Sequence, residues 1–214
     1  MEKKVLAIVQ ARSDSKRLPN KILLKLNKKN VIETIYERLF KSRYINQIIV
    51  ATTTLRSDDK LCKFLEKKNI KYFRGSSNNV LDRYLKAANK FNGNIIVRIT
   101  GDCPLIDVKI VDKVIKNYLD NKVDYSSNIN PPTFPNGLDV EVFSLNLIKK
   151  NLKKIRNKYD LEHVTTFFRK SEKIKKINYE FKKNLSNLRL TLDDYEDYKY
   201  ILNIFKFFKN KKFT

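Results

Sequence analysis

An α/β fold, with a mainly parallel sheet and helices on both faces, is predicted for this chain by three features of its sequence. Short β-branched apolar runs alternate with helical runs over most of the length. The first apolar run, residues 5–11, feeds straight into a polar loop carrying Arg12, Lys16, Arg17 and Lys21. Two later runs each stop on an acid, Asp102 and Asp193. Open parallel sheets place their ligands at the carboxyl ends of strands, so these features also mark where chemistry is expected.

Each element follows from its local pattern. Residues 5–11 read as a buried strand because the run is short and β-branched, and Pro19 closes a helix-poor loop behind it. The alternation continues as helix 31–41, strand 47–53, helix 58–68, strand 71–74, helix 80–91, strand 95–100 and helix 108–119. Ser57 is a candidate N-cap ahead of Asp58 and Asp59, whose charges favour a helix start. Pro131, Pro132, Pro135 and Gly137 then interrupt the pattern before an alternating strand at 138–143, and the interruption reads as a functional loop rather than a linker. A helical region is expected at 145–169, strands at 174–181 and 188–192, and a terminal helix at 195–209. The Lys-Asn-rich patches 149–154 and 209–212 read as solvated helix faces, and there is no internal repeat.

A chain of 214 residues is long enough to bury a real core, and a single domain spanning 1–214 is the economical reading. Its 46 Lys and Arg against 23 Asp and Glu give a formal charge of +23, which taken alone suggests a nucleic acid or an anionic membrane. The excess is mostly Lys spread evenly among Asn and Ile, without an Arg-rich tail, zinc-ligand spacing or aromatic RNA-binding motif, so no nucleic-acid partner is expected. Cys62 and Cys103 form no CxxC pair, which points to a reducing cytoplasm rather than a disulfide framework or metal site. The amino terminus opens onto the first strand without a signal-peptide pattern, and no apolar run approaches the roughly 20 residues of a membrane span. The Phe-rich end, 201–213, is broken by lysines and reads as an amphipathic packing or dimer helix.

The cationic loop suits phosphates, although the Gly and Lys-Ser/Thr spacing of a Walker A loop is absent. Asp102 sits where its strand stops, between Gly101, which permits close backbone approach, and Pro104. Mg²⁺ takes one or two carboxylates plus substrate phosphates, so a single acid at a strand end such as Asp102 is chemically sufficient for part of a site; the alternative for Asp102 is a cap on the helix beginning near Asp107. Asp194, Glu196 and Asp197 read as helix N-terminal charges. Asp139 and Glu141 alternate with apolar residues and share one strand face. His163 is the only histidine, which leaves little material for a Ser-His-Asp mechanism.

Four motifs together resemble the cytidylyltransferases that make CMP-activated sugars. They are Gln-Ala-Arg-x-x-Ser-x-Arg-Leu-Pro-x-Lys at 10–21, Arg-Gly-Ser-x-x-x-Val-Leu-x-Arg-Tyr at 74–84, Gly-Asp-x-Pro-Leu at 101–105 and Leu-Thr-x-Asp-x-x-Glu-Asp at 190–197. The nearest branch is similar to spore coat polysaccharide biosynthesis protein F, with acylneuraminate and 3-deoxy-manno-octulosonate cytidylyltransferases more distant. The resemblance implies a three-layer Rossmann-like nucleotidyltransferase fold with a mainly parallel, mixed central sheet. It implies CTP as substrate, attack by an acceptor oxygen on the α-phosphorus, and release of pyrophosphate. Arg12 and Lys21 would then neutralise the β and γ phosphates, with Arg17 as a further candidate, while Asp102 and Asp193 hold Mg²⁺. Ala11, Ser13, Arg74, Gly75, Ser76, Arg83, Arg98 and Gly101 complete the expected nucleotide site. For Arg83 the alternatives are phosphate contact or tying its loop to the sheet; for Arg98, nucleotide contact or a structural ion pair.

On the acceptor side, in an insertion at about 124–170 that also serves dimerisation, the resemblance implies Asn128, Asp139, Glu141 and His163. A helix-packing role for His163 stands beside substrate contact. Two departures are visible, Tyr195 where the family commonly has Pro and Leu161 where relatives often carry Arg. Cytoplasmic location and a homodimer are expected, with a small sugar or sugar-acid acceptor for surface glycan synthesis. The competing readings are another nucleotide such as GTP, a phosphonate or sugar phosphate acceptor, and a non-catalytic polyanion binder. The last has no need for carboxylates at its phosphate loop.

Overall fold

The computed structural model describes residues 3–208. Its strands are β1 (Val5–Gln10), β2 (Lys25–Leu26), β3 (Lys29–Asn30), β4 (Gln47–Thr53), β5 (Tyr72–Gly75), β6 (Ile95–Thr100), β7 (Tyr125–Ser127), β8 (Glu141–Ser144) and β9 (Lys176–Asn178). Its α-helices are α1 (Val31–Phe40), α2 (Asp59–Lys67), α3 (Val80–Lys90), α4 (Val108–Asp120), α5 (Leu145–Asn151), α6 (Lys158–His163), α7 (Thr166–Lys170) and α8 (Tyr195–Phe207). Seven strands form one sheet in the order β5-β4-β1-β6-β8-β7-β9, and β2 with β3 makes a separate antiparallel ribbon. β5, β4, β1 and β6 are mutually parallel, β8 runs antiparallel to both β6 and β7, and β9 is parallel to β7. The expected mixed, mainly parallel sheet is therefore present.

The two-residue period of each strand divides the core into two. Val5, Ala7 and Val9 of β1 join Ile48 and Val50 of β4 and Ile95, Val97 and Ile99 of β6 on one face, covered by α1, α2, α4 and α8 through Ile35, Leu65, Val114 and Ile201. Leu6, Ile8, Ile49, Ala51 and Ile96 face the other way, onto Leu81, Tyr84 and Ala88 of α3, Ile148 of α5 and Phe168 of α7. Both faces are buried, which is why the central strands read as continuous apolar runs rather than alternating ones.

The later elements are shorter than their sequence patterns predict. The strand expected at 138–143 begins only at Glu141, because the amide of Asn128 takes over its first residues: Asn128 Nδ2 donates to the Leu138 carbonyl (2.8 Å) and Asn128 Oδ1 accepts from the Val140 N–H (2.8 Å). The region 145–169 is three helices. Asn157 caps the second, accepting from the Asp160 N–H (2.7 Å), and Val164, at φ 62°, ends it. The strand expected at 174–181 contracts to β9. Residues 188–192 form no strand; their partner is the loop residue Asn136, which makes one isolated bridge with Arg189. Ser57 caps nothing, lying inside a 3₁₀ turn, Arg56–Asp58, that precedes α2. The ends of the predicted terminal helix and basic patch, from 209 onward, lie outside the described residues.

Candidate active site

The cationic loop leaves the sheet beside β4 and β6. The Ala11 N–H donates to the Ala51 carbonyl (3.1 Å) and the Gly101 N–H to the Gln10 carbonyl (2.8 Å), so the two strand ends that carry Arg12 and Asp102 are sewn together. Gly101 is required by this closeness: a Cβ there would lie 2.9 Å from the Gln10 carbonyl oxygen and 3.1 Å from the Ala11 Cβ. Past Ala11 the chain folds around Ser13, whose carbonyl accepts from the N–H groups of Ser15 (3.0 Å) and Asn20 (2.9 Å). Asn20, at φ 56°, then starts the short 3₁₀ turn Lys21–Leu23.

That turn delivers Lys21 to both acids. Its Nζ donates to Asp193 Oδ1 (2.9 Å) and to the Leu192 carbonyl (2.7 Å), and lies 3.7 Å from Asp102 Oδ2. The Leu192 N–H donates to the Asp102 carbonyl (2.7 Å), so the two carboxylates that sequence places 91 positions apart converge on one ammonium. Asp193 also meets Arg17 Nη2 and Arg189 Nη2, each at 3.2 Å. Burial disfavours its charge, but the Lys21 hydrogen bond and the three cations outweigh burial and hold the carboxyl below the usual range. Asp102 is no helix cap: α4 is capped by Asp107, which accepts from the Lys109 N–H (2.7 Å). Asp194 caps α8 and, with Asp197, forms a reciprocal capping box, as expected of helix N-terminal charges.

These groups line a cleft of about 390 Å³, a size suited to a small ligand. Of the predicted nucleotide and metal residues, Ala11, Arg12, Arg17, Lys21, Arg83, Gly101, Asp102 and Asp193 line it. Arg83 is 1% exposed, donates through Nη1 to the Ser76 carbonyl (3.1 Å) and has a buried Nε without a hydrogen-bond partner. Burial lowers its pKa, the charge of Arg12 adds to the effect, and Asp58 opposes it. Arg83 ties α3 to the loop at Ser76 while lining the cleft.

The remaining nucleotide-side residues are placed elsewhere. Ser13 is buried and holds its loop through the backbone. Arg74 donates to the carbonyls of Thr53 (2.9 Å) and Leu55 (2.8 Å) and pairs with Asp59 (2.7 Å). Gly75 makes room for Arg83, whose Cγ would be 2.9 Å from an added Cβ, and Ser76 Oγ accepts from the Asn79 N–H (3.0 Å) at the start of α3. Arg98 pairs with Glu141, the structural alternative of its two readings.

The acceptor-side residues also lie outside this cleft. Asn128 has both amide atoms committed to backbone, as described above. Glu141 is 1% exposed, with one oxygen bonded to Arg98 Nη1 and the other accepting from the Tyr125 hydroxyl (2.5 Å). Its burial and full pairing oppose direct acceptor contact. Asp139, by contrast, is only partly buried, and its pKa is pushed up to about 6, first by burial and then by the negative charges of Glu141 and Asp102, against the pull of Arg98 and Arg169. His163 is exposed, with its ring 4.3 Å from that of Tyr159 on the same helix.

Sequence reasoning missed several cleft residues. Gln10 has a buried Oε1 without a hydrogen-bond partner, and its place at the head of the first motif was the available signal. Ser77 lies in the loop just before α3 and Val80 opens that helix, both within the second motif. Glu162 enters from α6, just before the strained Val164; its neighbour His163 drew attention instead. Asp58, which binds the Ser13 N–H from behind the loop and does not itself line the cleft, drew notice in the sequence only as a charge at a helix start.

Among known proteins, a structure of a cytidylyltransferase from Leptospira borgpetersenii superposes with a TM-score of 0.94 at 37% identity, covering 100% of this chain and 91% of that one. The spore coat polysaccharide biosynthesis protein SpsF of Bacillus subtilis is 29% identical over 211 residues, 94% of this chain and 86% of that protein. The structure of CMP:2-keto-3-deoxy-manno-octonic acid synthetase complexed with CTP shares the fold, with a TM-score of 0.74 at 15% identity, covering 95% of this chain and 99% of that one. The family model for cytidylyltransferases matches residues 6–212, so nearly the whole chain is accounted for, and the protein belongs to the cytidylyltransferase family.

Proposed function

We propose that the protein transfers CMP from CTP to a sugar or sugar-acid acceptor, with Mg²⁺ and with release of pyrophosphate. One observation carries this reading: a single cleft brings the cations of the β1 loop together with the Asp102 and Asp193 carboxylates. A polyanion binder gains nothing from two acids at its phosphate loop. Among the described residues no group of three or more His, Cys, Asp or Glu could hold a metal, and the two-carboxylate set fits Mg²⁺, which takes one or two carboxylates and completes its shell with phosphate oxygens and water. Bound there, Mg²⁺ would supply charge neutralisation at the phosphates.

The chain's own residues do the rest. Arg12, Lys21 and Arg17 neutralise the triphosphate and the departing pyrophosphate, and Arg83 adds a cation that water cannot easily screen. Lys21, pinned by Asp193 and the Leu192 carbonyl, is oriented before substrate arrives. Asp139 stands within the electrostatic reach of Asp102 without being consumed by an ion pair, which suits hydrogen bonding to an acceptor hydroxyl. A second copy of the chain pairing through α8, where Tyr195, Tyr200 and Phe207 are exposed, fits a homodimer.

The test is thermal stability of the protein with Mg²⁺ and each of CTP, GTP, UTP, ATP and dTTP, followed by pyrophosphate release with candidate acceptors. CTP-selective, Mg²⁺-dependent stabilisation that Asp102→Asn abolishes is expected, with turnover in that variant down about 10²-fold to 10³-fold. Selective stabilisation by GTP would reassign the base. No response to any nucleotide would sink the reading.

A further inference from the structure

We propose that Asp58 is a positioning residue of the nucleotide site: its buried carboxylate holds the Ser13 amide and so sets where Arg12 and the rest of the loop present their charge. The inference rests on the nucleotidyl-transfer reading of the cleft. Asp58 is 0% exposed and lies on the connection between β4 and α2, 45 residues from Ser13. Its Oδ1 accepts from the Ser13 N–H (2.6 Å), and its Oδ2 accepts from the Thr53 N–H (3.0 Å) and the Thr53 hydroxyl. Burial works against ionisation, and these donors outweigh it, keeping the carboxyl below its usual range.

A buried carboxylate without an ion-pair partner is a costly way to fill space, since an apolar side chain would close the same volume without desolvating a charge. Its placement gives the charge a use. Asp58 favours the ionised form of Arg83, while Arg12 disfavours it, so Asp58 offsets the repulsion between two cations of the cleft. Otherwise the turn at Ser13 is held by hydrogen bonds internal to the loop, to its carbonyl from Ser15 and Asn20. The bond to Asp58 anchors the loop to the β4 end of the sheet. A loop set in advance presents its cations without reorganising when the phosphates arrive, which is the condition under which electrostatic stabilisation is most effective.

The test compares wild type, Asp58→Asn and Thr53→Val in the full chain, by calorimetric titration with inorganic pyrophosphate and with CTP, each with Mg²⁺. Circular dichroism sets a temperature at which all three are folded. Asp58→Asn puts an amide donor where three donors must be accepted, and is expected to weaken pyrophosphate binding by about ten-fold or more. Thr53→Val removes one hydroxyl and keeps the carboxylate on Ser13, and is expected to bind within about two-fold. A folded Asp58→Asn protein binding as tightly as wild type, or Thr53→Val losing as much as Asp58→Asn, overturns the proposal alone. Wild type that binds neither ligand overturns the nucleotide reading itself. Hydrogen exchange in the free wild-type protein adds a measurement independent of the variants: the Ser13 amide should be protected to the level of the β1 amides, and fast exchange there refutes the anchor.

Discussion

Asp139 is the residue whose environment makes the sharpest demand. Its folded pKa of about 6 lies above that of an unfolded carboxyl, so the folded state keeps a proton that the unfolded chain has released. The sign follows: stability contributed by the protonated form is intact below about pH 4, falls as pH rises through 4–6, and is gone above that window. Asp139→Asn is therefore expected to stabilise the ligand-free protein at pH 7.5, by on the order of 1–2 kcal/mol, and to do so negligibly at pH 4. Urea denaturation at both pH values checks this; a pH-independent difference would contradict it. In the Arg98–Glu141 pair it is the charged form that the fold favours. Burial opposes the guanidinium's charge and Glu141 more than restores it, so the Arg98 pKa lies above its ordinary value. Arg98→Ala strands a 1% exposed carboxylate and should cost about 3–5 kcal/mol in the same assay.

At the scale of elements, the cleft depends on segments held by single local features. Gly137, at φ 107°, docks the proline-interrupted loop against the segment leading to Asp193: an added Cβ would lie 2.7 Å from the Leu190 carbonyl carbon. The Asn136 N–H donates to the Leu188 carbonyl (2.9 Å) and the Leu190 N–H to the Asn136 carbonyl (2.7 Å), completing the contact. Gly137→Ala is expected to cost about 1–3 kcal/mol and to reduce turnover by displacing Asp193, measured by thermal melting and pyrophosphate release. The start of α3 is a second such feature. Asn79 accepts from the Asp82 N–H (2.9 Å), and the capped turn presents Ser77, Val80 and Arg83 to the cleft. Loss of this cap in Asn79→Ala should cost about 1 kcal/mol and raise the KM for CTP more than it lowers kcat.

Across the whole molecule the dominant quantity is a charge of +23, and it does not by itself define the partner. Its diffuse part and its cleft part separate by salt: binding to random-sequence DNA should fall steeply and linearly on a log–log plot of affinity against salt, while selectivity for CTP over other nucleotides persists. Equal salt sensitivity, with no base preference, would assign the charge to polyanions. No described helix is long and apolar enough to cross a membrane. If copies pair through α8, Tyr200→Glu, at a side chain 56% exposed, should shift the sedimentation coefficient from dimer to monomer while leaving the melting profile of the fold in place.

Sequence alone determined the order and type of the main-sheet strands and the α-helices up to α4, because each is specified by its own short-range periodicity and both sheet faces are buried; the short β2–β3 ribbon was not among the elements it predicted. It determined the loop cations and both acids for the same reason, since each sits where a strong apolar run ends. Beyond Asp124 the patterns predicted longer strands than form, because Asn128 and Asn136 redirect hydrogen bonds that a ladder would otherwise use. Tertiary structure decided the rest: the meeting of Asp102 with Asp193 on Lys21, the withdrawal of Arg74, Arg98 and Glu141 into ion pairs, the hold of Asp58 on the Ser13 amide, and the entry of Glu162 from a remote segment. A carboxylate in sequence has the same chemistry whether it meets a cation, a backbone amide or open solvent; only the packing of distant elements selects among these partners.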